Sequence, residues 1–428
     1  MYRGIKVRCY PNSKQKVIID DTLRACNYIW NKYIEFNKLS YENGDGFITA
    51  FDFSVQFTQL KKSDSRFTWM RGINTNAIQR TIQDAQCAYN DFFSKRSRYP
   101  KFKSIKRKNL ITSYFFCKAR VKLFQNDISM RNIVQIPSLG KIRVTKKNRL
   151  PNQSLITGGR VIRTNDKYFL LFNYQYEKIE DLESLSPGIG IDLGIEKYAT
   201  IADENGNIIS FNHFMKNRRY IEIEDKILII QSIISKKAEV NYQKLLKRYT
   251  DRHDGEEPSE GYKKILKNQS FNSSKIRKLV RRLNKLYKRR TNYATDKVCK
   301  MVNYLVITKP EYITVENLDI KGMLDNGRDT IIGKHTLHDR IAKSKWYEFK
   351  ERLVSKCEEY RIELREANKY YASTRICSKC GTVNQFMELK HRNYICLDPE
   401  CANVMNRDEN AAINLCKLTA NNYKVLVE

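Results

Sequence analysis

The chain opens with the two-residue alternation of a strand, from Tyr2 to about Tyr10, and then changes period. Pro11-Asn12-Ser13 supplies turn and cap residues, and the 3.6-residue spacing of apolar positions beyond it predicts a helix to about Phe36. A second helix is predicted from Thr75 to Phe93, where Ile78, Ile82, Ala85, Tyr89 and Phe92 fall on one face. From Ser113 to Tyr176 the period returns to two in SYFFCKARVKLF, IVQIP, GKIRV and YFLLFNYQY, separated by Gly- and Asn-containing turns. These segments predict a small β-barrel or curled sheet with helices inserted into it.

Ser184-Leu185-Ser186-Pro187 reads as a linker, after which GIGIDLGIEKYATIADENGNIISF predicts two or three strands and a hairpin turn at Asn205-Gly206. A long charged helix follows from about Phe214. The polar stretch Thr250 to Ser274 reads as an exposed insertion or hairpin loop, and a basic helix follows from Lys275 to Arg290. Beyond it come a strand at Tyr312 to Val315, a helix around Lys345 to Tyr360, a strand at Ile362 to Glu366 and a last helix from about Asp408. No internal repeat is visible, and 428 residues call for two to four folded units.

Charge narrows the function. Seventy-nine Lys and Arg against 47 Asp and Glu leave a formal charge of +32, spread along most of the chain. Such an excess calls for a polyanion, since each neutralised phosphate releases counterions and adds affinity. A ribosomal-type protein or a membrane-surface binder would share this charge, but 26 Tyr and 19 Phe among the basic residues favour nucleic acid, because rings stack on unpaired bases. The basic segment RSRYPKFKSIKRK, with Lys101 and Lys103, is expected to be a phosphate-gripping loop. The helix from Lys275, with Arg281 and Arg282, carries nine Lys or Arg and only a narrow apolar stripe at Ile276, Leu279, Leu283 and Leu286.

No segment has the apolar length of a membrane span, and the first residues lack the apolar run of a signal peptide. The expectation is a soluble intracellular protein with reduced thiols, consistent with an odd count of eleven cysteines. Seven of them (Cys9, Cys26, Cys87, Cys117, Cys299, Cys357 and Cys416) are scattered and are expected in cores.

The other four form a motif. Cys377-Ser-Lys-Cys380 is followed, after fifteen residues, by Cys396-Leu-Asp-Pro-Glu-Cys401, with Gly381 directly after the first pair. Two such knuckles bring four thiolates to one tetrahedral zinc, and a full sulfur set leaves no position for a reactive water, so the ion would be structural. Three acidic residues suggest a second metal site. Asp192 ends the apolar strand Ile189-Gly-Ile-Asp192, Glu316 ends the β-branched strand Tyr312-Ile-Thr-Val, and Asp408 opens the last helix, where Asn406 and Asp408 both qualify as its cap. If the two strands are neighbours and the last helix crosses their sheet, the three carboxylates converge as in nucleases of the RNase H type. Two Mg²⁺ or Mn²⁺ ions roughly 4 Å apart would then activate water for attack on phosphorus.

At these residues the sequence resembles the TnpB family of transposon-encoded RNA-guided DNA endonucleases and, more distantly, the compact type V CRISPR effectors. The resemblance is carried by KVRCYPNSKQ, YPKFKS, GIDLGIEKYAT, EYITVENL, the Trp346-Tyr347-Glu348-Phe349 helix, YYASTRICSKCG and NRDENAAINL, in that order along nearly the whole chain. It implies that Asp192, Glu316 and Asp408 form a RuvC-type catalytic triad binding magnesium, and that the four cysteines hold one zinc. It implies a first wedge strand over 1–12, a helical recognition domain over 13–110 and a wedge β-barrel over 111–184. An RNase H-like (RuvC) domain would follow over 185–370, with a zinc-ribbon insert over 371–403 and its third motif over 404–428.

The implied partners are a guide RNA and target double-stranded DNA, in the cytoplasm of a bacterial or archaeal cell and at its nucleoid when active. Asn74, Thr75, Asn76, Gln79 and Arg80 are the candidate readers of a short DNA motif, since such side chains suit base edges; a plain helix N-terminus is the competing reading. Asn406 departs from the Asp common in relatives. A nuclease-inactive RNA-guided repressor and an RNA-independent transposase or resolvase are the alternatives.

Overall fold

The computed structural model of the chain describes residues 2–103, 112–124, 132–145, 150–164, 167–176, 184–326, 331–332, 335–388 and 391–427. Two units separate, residues 1–177 and 178–428.

In the first unit, strand β1 (Tyr2–Tyr10) leads into helix α1 (Ser13–Asn43), α2 (Ala50–Ser63) and α3 (Thr75–Phe93). Six further strands follow: β2 (Ser113–Cys117), β3 (Lys122–Leu123), β4 (Ile133–Ile136), β5 (Gly140–Val144), β6 (Ile156–Thr164) and β7 (Lys167–Gln175). The sheet order is β2-β6-β7-β1-β5-β4-β3, so the first strand sits inside a sheet whose other members all come after the helices. Among the described residues β2 and β3 end this ladder without pairing to each other. The expected barrel or curled sheet is, among the described residues, one seven-stranded sheet over one core of Val7, Cys9, Phe116, Val134, Leu170 and Phe172.

Helix α1 starts where its cap predicts. The Asn12 side chain accepts from the Gln15 backbone N–H and the Gln15 side chain accepts from that of Asn12. The helix runs past Phe36 to Asn43, where Gly44 takes the left-handed conformation (φ 82°) that ends it. Helix α2 was not expected. Its signal is Thr49 capping Asp52, and it buries Phe53 and Phe57 against Tyr33, Phe36 and Phe67 in edge-to-face contacts. Helix α3 buries Ile78, Ile82, Ala85 and Tyr89 as its period requires.

In the second unit, β8 (Ile189–Leu193), β9 (Lys197–Asp203) and β10 (Ile208–Asn212) form a meander. Three helices follow, α4 (Arg218–Thr250), α5 (Glu260–Ser270) and α6 (Ser274–Ile307). The stretch expected as a loop between the first and last of these contains α5, capped by Ser259, and the basic helix is part of the much longer α6. Leu279, Leu283 and Leu286 of α6 pack on Ile230, Ile234 and Ala238 of α4, as the narrow stripe predicted.

The chain then gives β11 (Tyr312–Val315), α7 (Ile320–Asn326), the ribbon β12 (Ile331–Ile332) and β13 (His335–Thr336), α8 (Leu337–Ser344), α9 (Trp346–Tyr360) and β14 (Glu363–Ala367). The hairpin β15 (Asn393–Ile395) and β16 (Val404–Asn406), helix α10 (Arg407–Cys416) and edge strand β17 (Tyr423–Val427) complete it. The main sheet has order β10-β9-β8-β11-β14-β17, with β8, β11 and β14 parallel. Helices α6 and α9 cover one face through Val298, Val302, Phe349 and Leu353.

Helix α10 covers the other face, and glycine lets it do so. A Cβ on Gly190 would lie 2.2 Å from the Cys416 nitrogen and 2.3 Å from the Ala412 carbonyl oxygen, so β8 must be bare where the helix crosses. Gly190→Ala is therefore expected to cost roughly 1–3 kcal/mol by overpacking. Denaturant unfolding should show a lowered midpoint, and an unchanged one would mean that the helix can move away without loss.

The scattered cysteines divide. Cys9, Cys26, Cys357 and Cys416 are buried as expected, whereas Cys87 is exposed and Cys117 and Cys299 are only half-buried. These three sit on helix or strand faces that the core does not reach.

Candidate functional site

Strand register brings the first two carboxylates together. Ile313, Thr314 and Val315 pair in parallel with Ile189, Gly190 and Ile191, so Asp192 and Glu316 come one step further along neighbouring strands. Both side chains fall on the α10 face, because residues two apart on a strand share a side and Gly190 faces that helix. The third comes from the start of α10. Asn406 is the cap, its side-chain oxygen accepting from the Asp408 and Glu409 backbone N–H groups. That assignment removes the capping role from Asp408.

The consequence is a buried cluster of negative charge. Asp192 is 6% exposed, and its carboxyl is pushed well above the usual carboxylate range by burial, then by the charges of Glu316 and Asp408, against a smaller opposing effect of Arg407. Burial likewise raises Glu316, again opposed by Arg407. Thr200, the antiparallel partner of Asp192, and Thr314, beside Gly190, are both buried, and among the described residues neither hydroxyl has a hydrogen-bond partner. Desolvated carboxylates with oxygen neighbours suit a hard divalent cation, whose charge would offset their repulsion. The residues present therefore fit the ions expected of them.

The four cysteines meet as well. Their sulfur atoms all lie within 4.8 Å of one another, with Cys377 to Cys401 at 3.8 Å and Cys380 to Cys396 at 3.5 Å. Tetrahedral thiolates about 2.3 Å from a metal stand about 3.8 Å apart, so the spacing matches a shared ion and is far too long for disulfides. Gly381 is left-handed (φ 81°) and its N–H donates to the Cys377 carbonyl, which makes the first knuckle.

Two residues that the sequence reading passed over tie this knuckle to α10. Asn410 and Asn414, both buried, donate to the Ile376 carbonyl at 2.6 and 2.7 Å, and the Ser378 N–H donates to the Asn410 side chain at 2.9 Å. Their signal in the sequence was two asparagines four apart on the buried side of a helix, where an amide persists only with partners.

The remaining candidates sit apart from these clusters. In the first unit, Asn74 caps α3 by accepting from the Asn76 N–H and donates to the Ser138 hydroxyl, while Asn76 donates to the Cys117 sulfur. This favours a plain helix N-terminus for those two. Thr75, Gln79 and Arg80 remain exposed, although Arg80 pairs with Asp84 at 3.1 Å. Lys101 is exposed, but its carbonyl accepts from Trp30, and the Lys103 ammonium lies 4.4 Å from the Trp30 ring centre, so the basic loop begins pinned to α1. The rest of it, residues 104–108, lies outside the described residues. In the second unit Arg281 and Arg282 are exposed on α6, whereas Arg290 of the same basic face pairs with Glu224 of α4 at 2.8 Å.

Two family models match. One is described as Cas12f1-like, TNB domain and covers residues 346–415, from α9 through the cysteine cluster to α10. The other, a helix-turn-helix domain of the OrfB IS605 type, covers residues 1–46, which fold here as β1 and the single helix α1. A Streptomyces pristinaespiralis protein provisionally named an RNA-guided DNA endonuclease is 22% identical over 96% of this chain and 88% of its own length. The TnpB-like protein L79 of Acanthamoeba polyphaga mimivirus is 32% identical over 35% of this chain and 27% of its own. Among solved structures, the protein of a Cas12f1-sgRNA-target DNA complex superposes with a TM-score of 0.53 at 14% identity, over 97% of this chain and 99% of that one, which shows a shared fold. Matches at both ends, a relative along the length and a common architecture agree with the motif order read from the residues, and together they show that this chain is similar to TnpB-type proteins.

Proposed function

We propose that the protein is an RNA-guided DNA endonuclease that holds a guide RNA, checks a short motif beside a double-stranded DNA target and cuts that DNA at Asp192, Glu316 and Asp408. The observation that carries this reading is the meeting of those three carboxylates, from two neighbouring strands and a crossing helix, in one desolvated cluster. The full-length likeness to a protein named for RNA-guided DNA cutting supports the guided part.

The main sheet of the second unit is read as an RNase H-like, RuvC-type core over 185–370 and 404–428, with the cysteine segment 371–403 as its zinc ribbon. The seven-stranded sheet of the first unit is read as the wedge, whose first strand spans 1–12, and α1 to α3 as the recognition domain. Fold alone does not assign chemistry, so the weight stays on the carboxylates.

When bound, two Mg²⁺ or Mn²⁺ ions supply an activated water and stabilise the leaving 3′ oxygen of an in-line displacement. The protein's own part is positioning. Asp192 and Glu316 are held side by side by strand pairing, and Asp408 is freed for the site because Asn406 takes the cap. Arg281 and Arg282, with Lys101 and Lys103, contribute phosphate contacts without sequence preference, and Gln79 and Arg80 are the stronger remaining candidates for motif reading. No described helix is long and apolar enough to cross a membrane, and the cytoplasm, at the nucleoid, is the proposed place of work.

The test is to purify the protein from cells carrying its flanking DNA and sequence the RNA that comes with it. Duplexes matching the 3′ end of that RNA should be cut in Mg²⁺, and unmatched duplexes should not. Cutting that proceeds equally well after the RNA is removed would favour a transposase or resolvase instead.

A further inference from the structure

Three carboxylates brought together out of water need positive charge even before any ion arrives, and one side chain in the cluster provides it. Arg407 opens α10 immediately before Asp408, with its side chain 13% exposed and a guanidinium nitrogen 3.7 Å from the Asp408 carboxylate. Its charge acts on Asp192 and on Glu316, in both cases opposing the rise that burial imposes. An arginine cannot shed its proton in a protein, so this compensation is permanent.

The guanidinium is not held by the carboxylates alone. A second nitrogen donates to the Glu388 carbonyl at 3.4 Å, and the Arg407 backbone N–H donates to the Arg392 carbonyl at 2.9 Å. Glu388 and Arg392 lie between the second and third cysteines, so the segment closed by the cysteine cluster grips Arg407 from one side while Asp408 grips it from the other. Arg392 leads into β15, which pairs with β16 just ahead of Arg407, and this hairpin fixes the direction from which the side chain enters.

We propose that Arg407 is a resident counter-cation of the carboxylate cluster, placed by the cysteine-bound segment, and that it sets how strongly the cluster takes divalent ions. The inference rests on the proposed metal-binding role of Asp192, Glu316 and Asp408. Without divalent ions the guanidinium offsets their mutual repulsion and keeps the cluster folded. With ions present the same charge repels them and weakens binding. Arg407 is a positioning residue in this scheme, acting on the reaction only through the carboxylates.

The experiment uses the full chain, freed of RNA in high salt, with its cysteine cluster loaded, in buffer passed over a chelating resin. Mn²⁺ binding is titrated by the loss of the free-ion electron paramagnetic resonance signal, and thermal unfolding is followed with and without added Mg²⁺. Arg407→Gln should bind Mn²⁺ roughly three- to tenfold more tightly, as removal of a nearby like charge requires. Without divalent ions it should unfold about 3–6 °C lower, and Mg²⁺ should raise its midpoint by more than it raises that of the native chain. Arg407→Lys, which keeps the charge but not the fork of donors, should bind Mn²⁺ like the native chain.

A Gln variant with native or weaker Mn²⁺ affinity, or a Lys variant that behaves like it, overturns the proposal. Asp192→Asn separates the two layers. If it abolishes the tight Mn²⁺ site while Arg407→Gln changes nothing, only the role of Arg407 fails; if the site survives Asp192→Asn, the metal-binding reading of the carboxylates fails and the counter-cation falls with it.

Discussion

Asp192→Ala is expected to abolish DNA cutting in Mg²⁺, with a loss on the order of 10³-fold or more, while guide RNA and target are still held. Asp192 feels the charges of both Glu316 and Asp408, so its removal takes away a proposed ligand that both neighbours are placed to share. Each tenfold loss of rate corresponds to about 1.4 kcal/mol of barrier, and a site that relies on positioned charge loses several such steps with one ligand. Nucleic-acid binding should survive because the proposed contacts at Lys101, Lys103, Arg281 and Arg282 lie on other elements. Removing a buried carboxylate also relieves like-charge repulsion, so the variant should be at least as stable as the native chain without divalent ions. A single-turnover assay on a matching duplex, beside a gel-shift measurement of target binding, checks both halves. Persistent cutting would show that the assigned carboxylate is not part of the machinery.

The second large effect is expected from the cysteines. Replacing Cys377 and Cys380 together by serine should empty the metal cluster and unfold the segment around it, because a tetrahedral thiolate site contributes about 10–16 kcal/mol of ion-binding energy to local folding. Damage should not stop there. Asn410 and Asn414 of α10 hydrogen-bond to the Ser373 and Ile376 carbonyls of that segment, and the Arg407 backbone bonds to Arg392. Loss of the ion therefore loosens the helix that carries Asp408, and cutting should fall together with zinc content. Metal analysis gives the first readout, and proteolytic nicking within 371–403 gives the second. Native zinc content and native protease resistance in the double variant would refute the cluster as a metal site.

These two results address different layers of one arrangement. The cysteine cluster acts at a distance, by fixing α10 and its first turn, whereas the proposed place of Asp192 is at the reacting phosphate. Gly190 belongs with the first group, since a bare backbone is what lets α10 lie against β8 and bring Asp408 to the sheet. A common failure in cutting with distinct causes is the expected pattern: loss without unfolding for Asp192, loss with local unfolding for the cysteines, and a lowered unfolding midpoint for Gly190.

Local rules read much of this protein from its residues. The capping box at Asn12 and Gln15, the apolar face of α3, the hairpin at Asn205-Gly206 and the stripe joining α6 to α4 all depend on neighbours a few positions away, and the amino-acid order carries them. The cysteine quartet was legible for the same reason, since ligand spacing within each knuckle is short. Shorter or more polar signals were missed: α5 lay hidden in a polar stretch, α2 in a segment without a strong period, and α1 continued past its expected end because tertiary packing outweighs weak propensity.

Only the tertiary structure decided that Asp192 and Glu316 occupy adjacent positions on parallel strands, that Asn406 rather than Asp408 caps the last helix, and that the Arg407 guanidinium stands beside the Asp408 carboxylate. Parallel pairing joins segments far apart in the chain, and its register is set by which side chains are buried together rather than by any nearby residue. A charge in such a place is tolerated only by partners that the completed fold supplies, which is why the three carboxylates could be named in advance as candidates but their company could not.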